Sequence, residues 1–222
     1  MTPNVPAGEG RLPPLAGSRG DRGRQIASVQ RFTLGDERGA AEFESELARQ
    51  VRAWGRLRSL ESQVVLRSLD RSGSYLHLAF WRSPEHLFGA FPTDAVSARL
   101  GRLAAVEAGQ AVAAGLLGDV PGAAEAADAL LVRVTLSGPA AAFETRFGAL
   151  AGRFLYDPGC GGCLLLQGTL EPRAYLGLIW WHSALACDAA TQGDRFLDRT
   201  RQLRALASGL AFERVRIAGA GA

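Results

Sequence analysis

The chain has 222 residues, 47% of them hydrophobic, with 25 basic and 22 acidic side chains and a formal charge of +3. That length and apolar content are enough for a buried core of one large or two small domains, and they exclude a wholly disordered chain. No run of 18 uninterrupted apolar residues offers a membrane span; Arg11, Arg19, Arg22 and Arg24 against Glu9 and Asp21 leave the rest of the chain near neutrality, without a basic cluster for nucleic acid.

Residues 1–27 are rich in Pro, Gly and Arg and have no apolar periodicity, so they read as a flexible tail, and they lack the apolar central run of a signal peptide. An alternating strand is expected at 29–34, followed by an amphipathic helix with Phe43, Leu47, Val51 and Trp54 on one face. Strands follow at 62–69 and 74–81. Ser83 then caps a short helix that has Pro84 at its first position. Asp94 caps another, with Val96, Leu100 and Leu103 facing inward, and a strand at 110–117 closes the series. The segment 119–129 reads as a linker.

The same series then recurs. A strand at 131–136 leads to a helix carrying Phe143, Phe147, Leu150 and Phe154, then to strands at 162–170 and 174–181. Ser183 and Asp194 are the matching caps, Phe196, Thr200 and Leu203 face inward, and the last strand falls at 211–217. The repeat is plainest at an offset of 100, where YLHLAFWRS (75–83) stands against YLGLIWWHS (175–183). Two β-α-β-β-α-β series define an α+β protein of two ferredoxin-like units, 28–118 and 130–218. One such unit leaves a sheet face open and two can cover each other, so the expected form is an intramolecular dimeric α+β barrel. It would occur as a monomeric pseudo-dimer or pair again as a homodimer.

Alternation places Tyr75, His77 and Trp81 on one face of the first quoted strand, and Tyr175, Gly177 and Trp181 on that face of the second. His77 is either a satisfied core histidine or a general base and hydrogen-bonding group for a phenol, since a histidine near its ordinary pKa suits that proton transfer. Gly177 would clear room for a flat ligand. Trp81 and Trp181 fill the core or form stacking walls for an aromatic ring. His86, on the short helix, and His182, which points opposite to Trp181, are further candidates for contact with a ligand.

Cys160, Cys163 and Cys187 are too few for a disulfide framework and suit a reducing cytoplasm. CGGC (160–163) precedes an apolar run rather than opening a helix, and reads as a turn entering a strand. Three histidines without ligand spacing predict no metal site, and no G-x-G-x-x-G follows a strand.

The β-α-β-β-α-β unit whose third strand ends in Trp-x-Ser resembles the antibiotic biosynthesis monooxygenase family, here as a tandem fusion over residues 28–218. Tandem members are similar to oxygenases that open or rearrange the ring of angucycline-type quinones, and single-unit members include oxidases of anthrones. The resemblance implies an oxygenase acting on a polycyclic aromatic polyketide, with O₂ as co-substrate and no tightly bound cofactor. It admits reduced flavin as a diffusible reductant and a flavin reductase as partner. Where anthrone-oxidising relatives carry Asn, this chain has His77 and Gly177. Their Arg falls on Gly101 and Arg201, the latter a candidate to pair with a quinone oxygen, and their Tyr falls on Leu87 and Cys187. The iron-ligating His of the haem-degrading branch falls on Phe91 and Thr191, which does not fit haem. A polyketide cyclase or aromatase, and a non-catalytic binding protein, are the alternative readings.

Overall fold

The computed structural model describes residues 26–90, 95–117 and 128–218; the expected tail up to residue 25, the Asp94 cap and positions 118–127 of the linker region lie outside the described residues. The first unit runs β1 (Ile26–Leu34), α1 (Ala40–Gly55), β2 (Leu60–Ser68), β3 (Ser74–Trp81), α2 (Pro84–Ala90), α3 (Ala95–Leu103) and β4 (Ala104–Leu117). The second runs β5 (Asp128–Leu136), α4 (Ala140–Leu155), β6 (Cys160–Gly168), β7 (Ala174–Trp181), α5 (Ala184–Thr191), α6 (Gly193–Arg204) and β8 (Ala207–Ala218).

Local chemistry sets several of these boundaries. Ser83 Oγ and Ser183 Oγ accept from the amides of His86 and Ala186, as expected for residues preceding a helix. Asp194 lies inside the first turn of α6, because that helix already starts at Gly193. Gly73 sits at φ 68 in the β2–β3 turn, a left-handed conformation that a side chain would strain, and its carbonyl accepts from Leu34 at the end of β1.

The eight strands close into one antiparallel barrel in the order β1-β3-β2-β8-β5-β7-β6-β4. The closing device is the length of β4 and β8, both longer than the apolar pattern predicts. β4 pairs with β1 along Ala104–Val112 and then with β6 from Ala111 to Leu117, while β8 pairs with β5 and, through Val215–Ala218, with β2. The two units therefore share one sheet instead of packing two separate sheets face to face, and none of the eight described strands is left with an open edge.

Alternation along each strand separates two surfaces. One fills the barrel with Leu76, Leu78, Phe80, Leu164, Leu178 and Trp180. The other faces the helices. In the second unit it forms one continuous apolar cluster from Phe143 to Trp181, whereas in the first it is split into a cluster around Phe43 and Tyr75 and another around Trp54 and Trp81. His77 lies at the division.

Candidate functional site

His77 is buried (1% exposed) on the helix-facing side of β3. β1 brings Gln30 directly opposite it, β2 brings Val65 opposite it with Gln63 next on the same face, and α1 lays Gln50 over it. Gln63 donates through Nε2 to the Val51 carbonyl at 2.7 Å, so its Oε1 is the acceptor that meets His77 Nε2 at 3.0 Å. Gln50 Nε2 donates to Gln30 Oε1 at 2.7 Å and points the same donor toward His77 Nδ1 at 3.4 Å. These amide orientations, assigned from the network, put the imidazole hydrogen on Nε2 and leave Nδ1 as an acceptor. Burial drives the His77 pKa down from 6.5 to about 3, so the ring is neutral at ordinary pH. The expectation of a histidine close to its ordinary pKa is corrected on this point. Proton transfer from a phenol to such a base is uphill by about 7 pKa units, roughly 9 kcal/mol, and the closed site uses the ring as a hydrogen-bonding group.

Aromatic rings complete the cluster. Trp54 lies 5.1 Å from His77 and 5.4 Å from Trp81, the latter edge-on, between ring centroids. Trp81 Nε1 donates to Ser28 Oγ at 3.1 Å. Tyr75 donates its hydroxyl to Glu44 at 2.7 Å, and burial first, then that carboxylate, lifts its pKa to about 12.

Register carries every one of these positions into the second unit. Gln30 becomes Val132, Gln50 becomes Leu150, Gln63 becomes Cys163, His77 becomes Gly177 and Ser28 becomes Leu130. The polar cluster is replaced as a set. Trp181 keeps the place of Trp81, edge-on to Phe154 at 5.5 Å, but its buried indole nitrogen has no hydrogen-bond partner among the described residues, because Leu130 stands where Ser28 stood. Gly177 does not leave a hole. A Cβ there would lie 2.7 Å from the Phe147 ring, which fills the space on that face. The hydrogen bond between Tyr and Glu is kept, as Tyr175 to Glu144 at 2.6 Å.

A cavity of about 270 Å³ opens on the helix side of the first unit beside His77's neighbours Val51 and Val65. Glu44, Tyr75, Arg67 and Arg216 give it polar walls, and Leu47 and Ile217 apolar ones. Arg216 arrives from β8 of the other unit, held by Asp128 at 2.7 Å. A larger cavity, about 660 Å³, lies at one end of the barrel interior.

Of the candidate residues Tyr75 lines this cavity, His77 and Trp81 are sealed in the core next to it, Gly177 and Trp181 are packed in the second unit, and three more lie at the surface. His86 is exposed at the start of α2, its ring 3.2 Å from Ser83 Oγ, and Leu87 takes the inward place. His182 is exposed just past β7, against Gly161. Arg201 points to solvent, 79% exposed and paired with Asp198 on the same helix, because Thr200 and Leu203 hold the inward face of α6. The arginine that does turn inward is Arg199, paired with Asp157 at 2.6 Å and 5.0 Å from the Phe154 ring.

CGGC lies within the start of β6, with Cys163 buried and Cys160 half-buried. Burial raises the Cys187 pKa to about 12, which leaves no thiolate there for nucleophilic work. Among the described residues no group of three or more His, Cys, Asp or Glu is placed to hold a metal ion, and no helix is long and apolar enough to cross a membrane.

The residues that sequence reading missed are Gln30, Gln50 and Gln63 around His77, and Glu44, Arg67 and Arg216 around the cavity. The first three had a signal: each changes to an apolar residue in the same repeat comparison that singled out His77 and Gly177.

No family model matches the chain, and no curated protein matches it. Among solved structures it is similar to an anthrone oxidase-like protein, with a TM-score of 0.67 at 17% identity over 87% of this chain and 91% of that one. It is similar also to a candidate monooxygenase from Fusobacterium nucleatum, with a TM-score of 0.69 at 9% identity over 87% and 92% of the two chains. A candidate monooxygenase from Lactobacillus acidophilus gives a TM-score of 0.63 at 9% identity over 89% and 97%. At these identities the likeness is one of fold, and its extent takes in both units.

Proposed function

We propose that the chain is an oxygenase that oxidises a polycyclic aromatic polyketide in the helix-side slot of its first unit, by quinone formation or oxidative ring opening. The observation that carries this reading is the replacement of the whole His77 cluster in one repeat only, since a core requirement common to the fold would have kept it in both. The anthrone oxidase-like and monooxygenase names of the full-length neighbours support the reaction class.

In this reading the substrate enters at Tyr75 and displaces Gln50 from Gln30, so that a phenol hydroxyl donates to His77 Nδ1 in its place. Its flat rings then lie against Trp54 and Trp81. The cavity of about 270 Å³ is just under the usual size of ligand sites, and this displacement supplies the missing volume. Arg67 and Arg216 favour the ionised phenolate, whose proton leaves past Glu44 to water. The electron-rich anion then reduces O₂ and captures it at the conjugated carbon that was the CH₂, across the ring from the phenolate oxygen. Loss of water from the hydroperoxide leaves a ketone, so a CH₂ and O₂ become C=O and H₂O. For a quinone substrate, reduced flavin from a partner reductase supplies the hydroquinone first.

The test is turnover of a panel of anthrones and angucycline-type hydroquinones under ¹⁸O₂, with and without reduced flavin. One labelled oxygen per anthrone product is expected, with His77→Gln at least about tenfold slower. Turnover in strict anaerobiosis would move the assignment to a cyclase using the Tyr75–Glu44 pair, and no product across the panel would refute the oxygenase.

A further inference from the structure

The larger cavity has no place in that chemistry. It lies inside the barrel, on the opposite side of β1 from His77, at the end where β1, β5 and β7 carry Arg31, Arg133 and Ala174. It exists because β4 and β8 turn Gly109, Ala111, Gly209 and Ala211 inward there, whereas Phe80 and Trp180 close the other end. A Cβ on Gly109 would meet nothing within 4 Å.

Arg31 and Arg133 are repeat counterparts, and both line this space. Arg31 has no carboxylate within 4 Å among the described residues, although Glu107 stands opposite it in the ladder, and burial followed by the charge of Arg133 lowers its pKa. Arg133 has Glu213 at 3.6 Å, a carboxylate that already receives Arg71, and its own buried Nε has no partner among the described residues. Two part-buried guanidiniums with unused donors call for an anion. Glu107 and Glu171 also line the space, which disfavours a phosphate or other multiply charged ligand. The volume far exceeds that of an inorganic ion, and Val29, Leu166 and Leu176 give it an apolar wall.

We propose that this end of the barrel binds a small amphiphilic carboxylate, its head between Arg31 and Arg133 and its apolar body on Val29, Leu166 and Leu176. The site is separate from the helix-side slot and stands whether or not the oxygenase assignment does.

Calorimetric titration of the full chain with acetate, octanoate, octanol and inorganic phosphate tests it. Octanoate should bind once per chain and much more tightly than acetate or phosphate. Octanol should bind about ten- to a hundredfold more weakly, as should octanoate to Arg31→Leu. Gly109→Leu fills the space and should abolish binding while the protein still melts cooperatively. His77→Gln should leave octanoate binding unchanged. No heat with octanoate, equal affinity for octanol, phosphate binding more tightly than octanoate, unchanged affinity in Arg31→Leu and Gly109→Leu, or loss of binding in His77→Gln would each overturn the proposal. Should the arginine variant not fold, octanoate against octanol on the unaltered protein decides.

Discussion

A neutral imidazole sealed in the first unit makes the stability of the fold depend on pH in a defined direction. Unfolded, His77 takes up a proton as the pH falls through about 6.5; folded, it does so only near 3, because burial opposes the charge. The unfolded state therefore binds more protons between these values, and stability present above pH 6.5 is lost as the pH falls toward 3. The full span amounts to about 5 kcal/mol, of which about 2 kcal/mol falls between pH 7.5 and pH 5. Other groups titrate in that range too, so the quantity to measure is the difference between the protein and His77→Gln, a side chain of similar reach that hydrogen-bonds without titrating. Urea unfolding followed by tryptophan fluorescence at pH 7.5, 6 and 5 gives that difference directly. The unaltered protein should lose about 2 kcal/mol more than the variant on going to pH 5. A difference constant to within a few tenths of a kcal/mol would refute the buried neutral ring, and with it the reading of His77 as a hydrogen-bonding group rather than a base.

The second unit yields to a double-mutant cycle: Gly177→Ala should cost about 1–3 kcal/mol because its methyl meets Phe147 at 2.7 Å, and adding Phe147→Leu should recover at least about 1 kcal/mol of it in urea unfolding, whereas additivity would mean that the ring does not occupy the space. Ser28→Ala should cost about 1–3 kcal/mol by leaving the Trp81 indole hydrogen unsatisfied, a loss read from the same unfolding curves, and a neutral result would remove that bond. Asp128→Ala should cost about 3–5 kcal/mol, because a carboxylate 4% exposed holds both Arg214 and Arg216; a shift in the thermal midpoint of under about 3 °C would show that those arginines find other partners.

What the sequence disclosed follows from what each signal measures. The strands ending in Trp81 and Trp181 were legible to the residue because alternation, a bulky terminal ring and a helix-capping serine coincide there. The length of β4 was not: AAVEAGQAV has no clean alternation and carries a glycine in its middle, and its strand form rests on ladders to β1 and β6 that are non-local. Barrel closure depends on that overshoot, so the two-unit plan could be read while the shared sheet could not. At the site, looking for what the repeats hold in common drew attention to tryptophans that both units keep as core, and drew it away from Gln30, Gln50 and Gln63, which vary.

The variation is the more informative quantity, and its energetics explain why it is confined to one unit. A buried imidazole ringed by three amides must have its partners supplied, and each element that supplies one gives up an apolar contact: β1 gives Gln30 where the other unit has Val132, α1 gives Gln50 for Leu150, β2 gives Gln63 for Cys163. The helix-facing core of the first unit is divided as a result, and that of the second is continuous. In a dimer of two separate identical chains both halves would carry the division. Fusion allows one half to be repacked with Phe147 and Leu150 while the other keeps the polar cluster, and because β8 completes the sheet beside β2, the repacked half still holds Arg216 at the rim of the slot that the first unit retains.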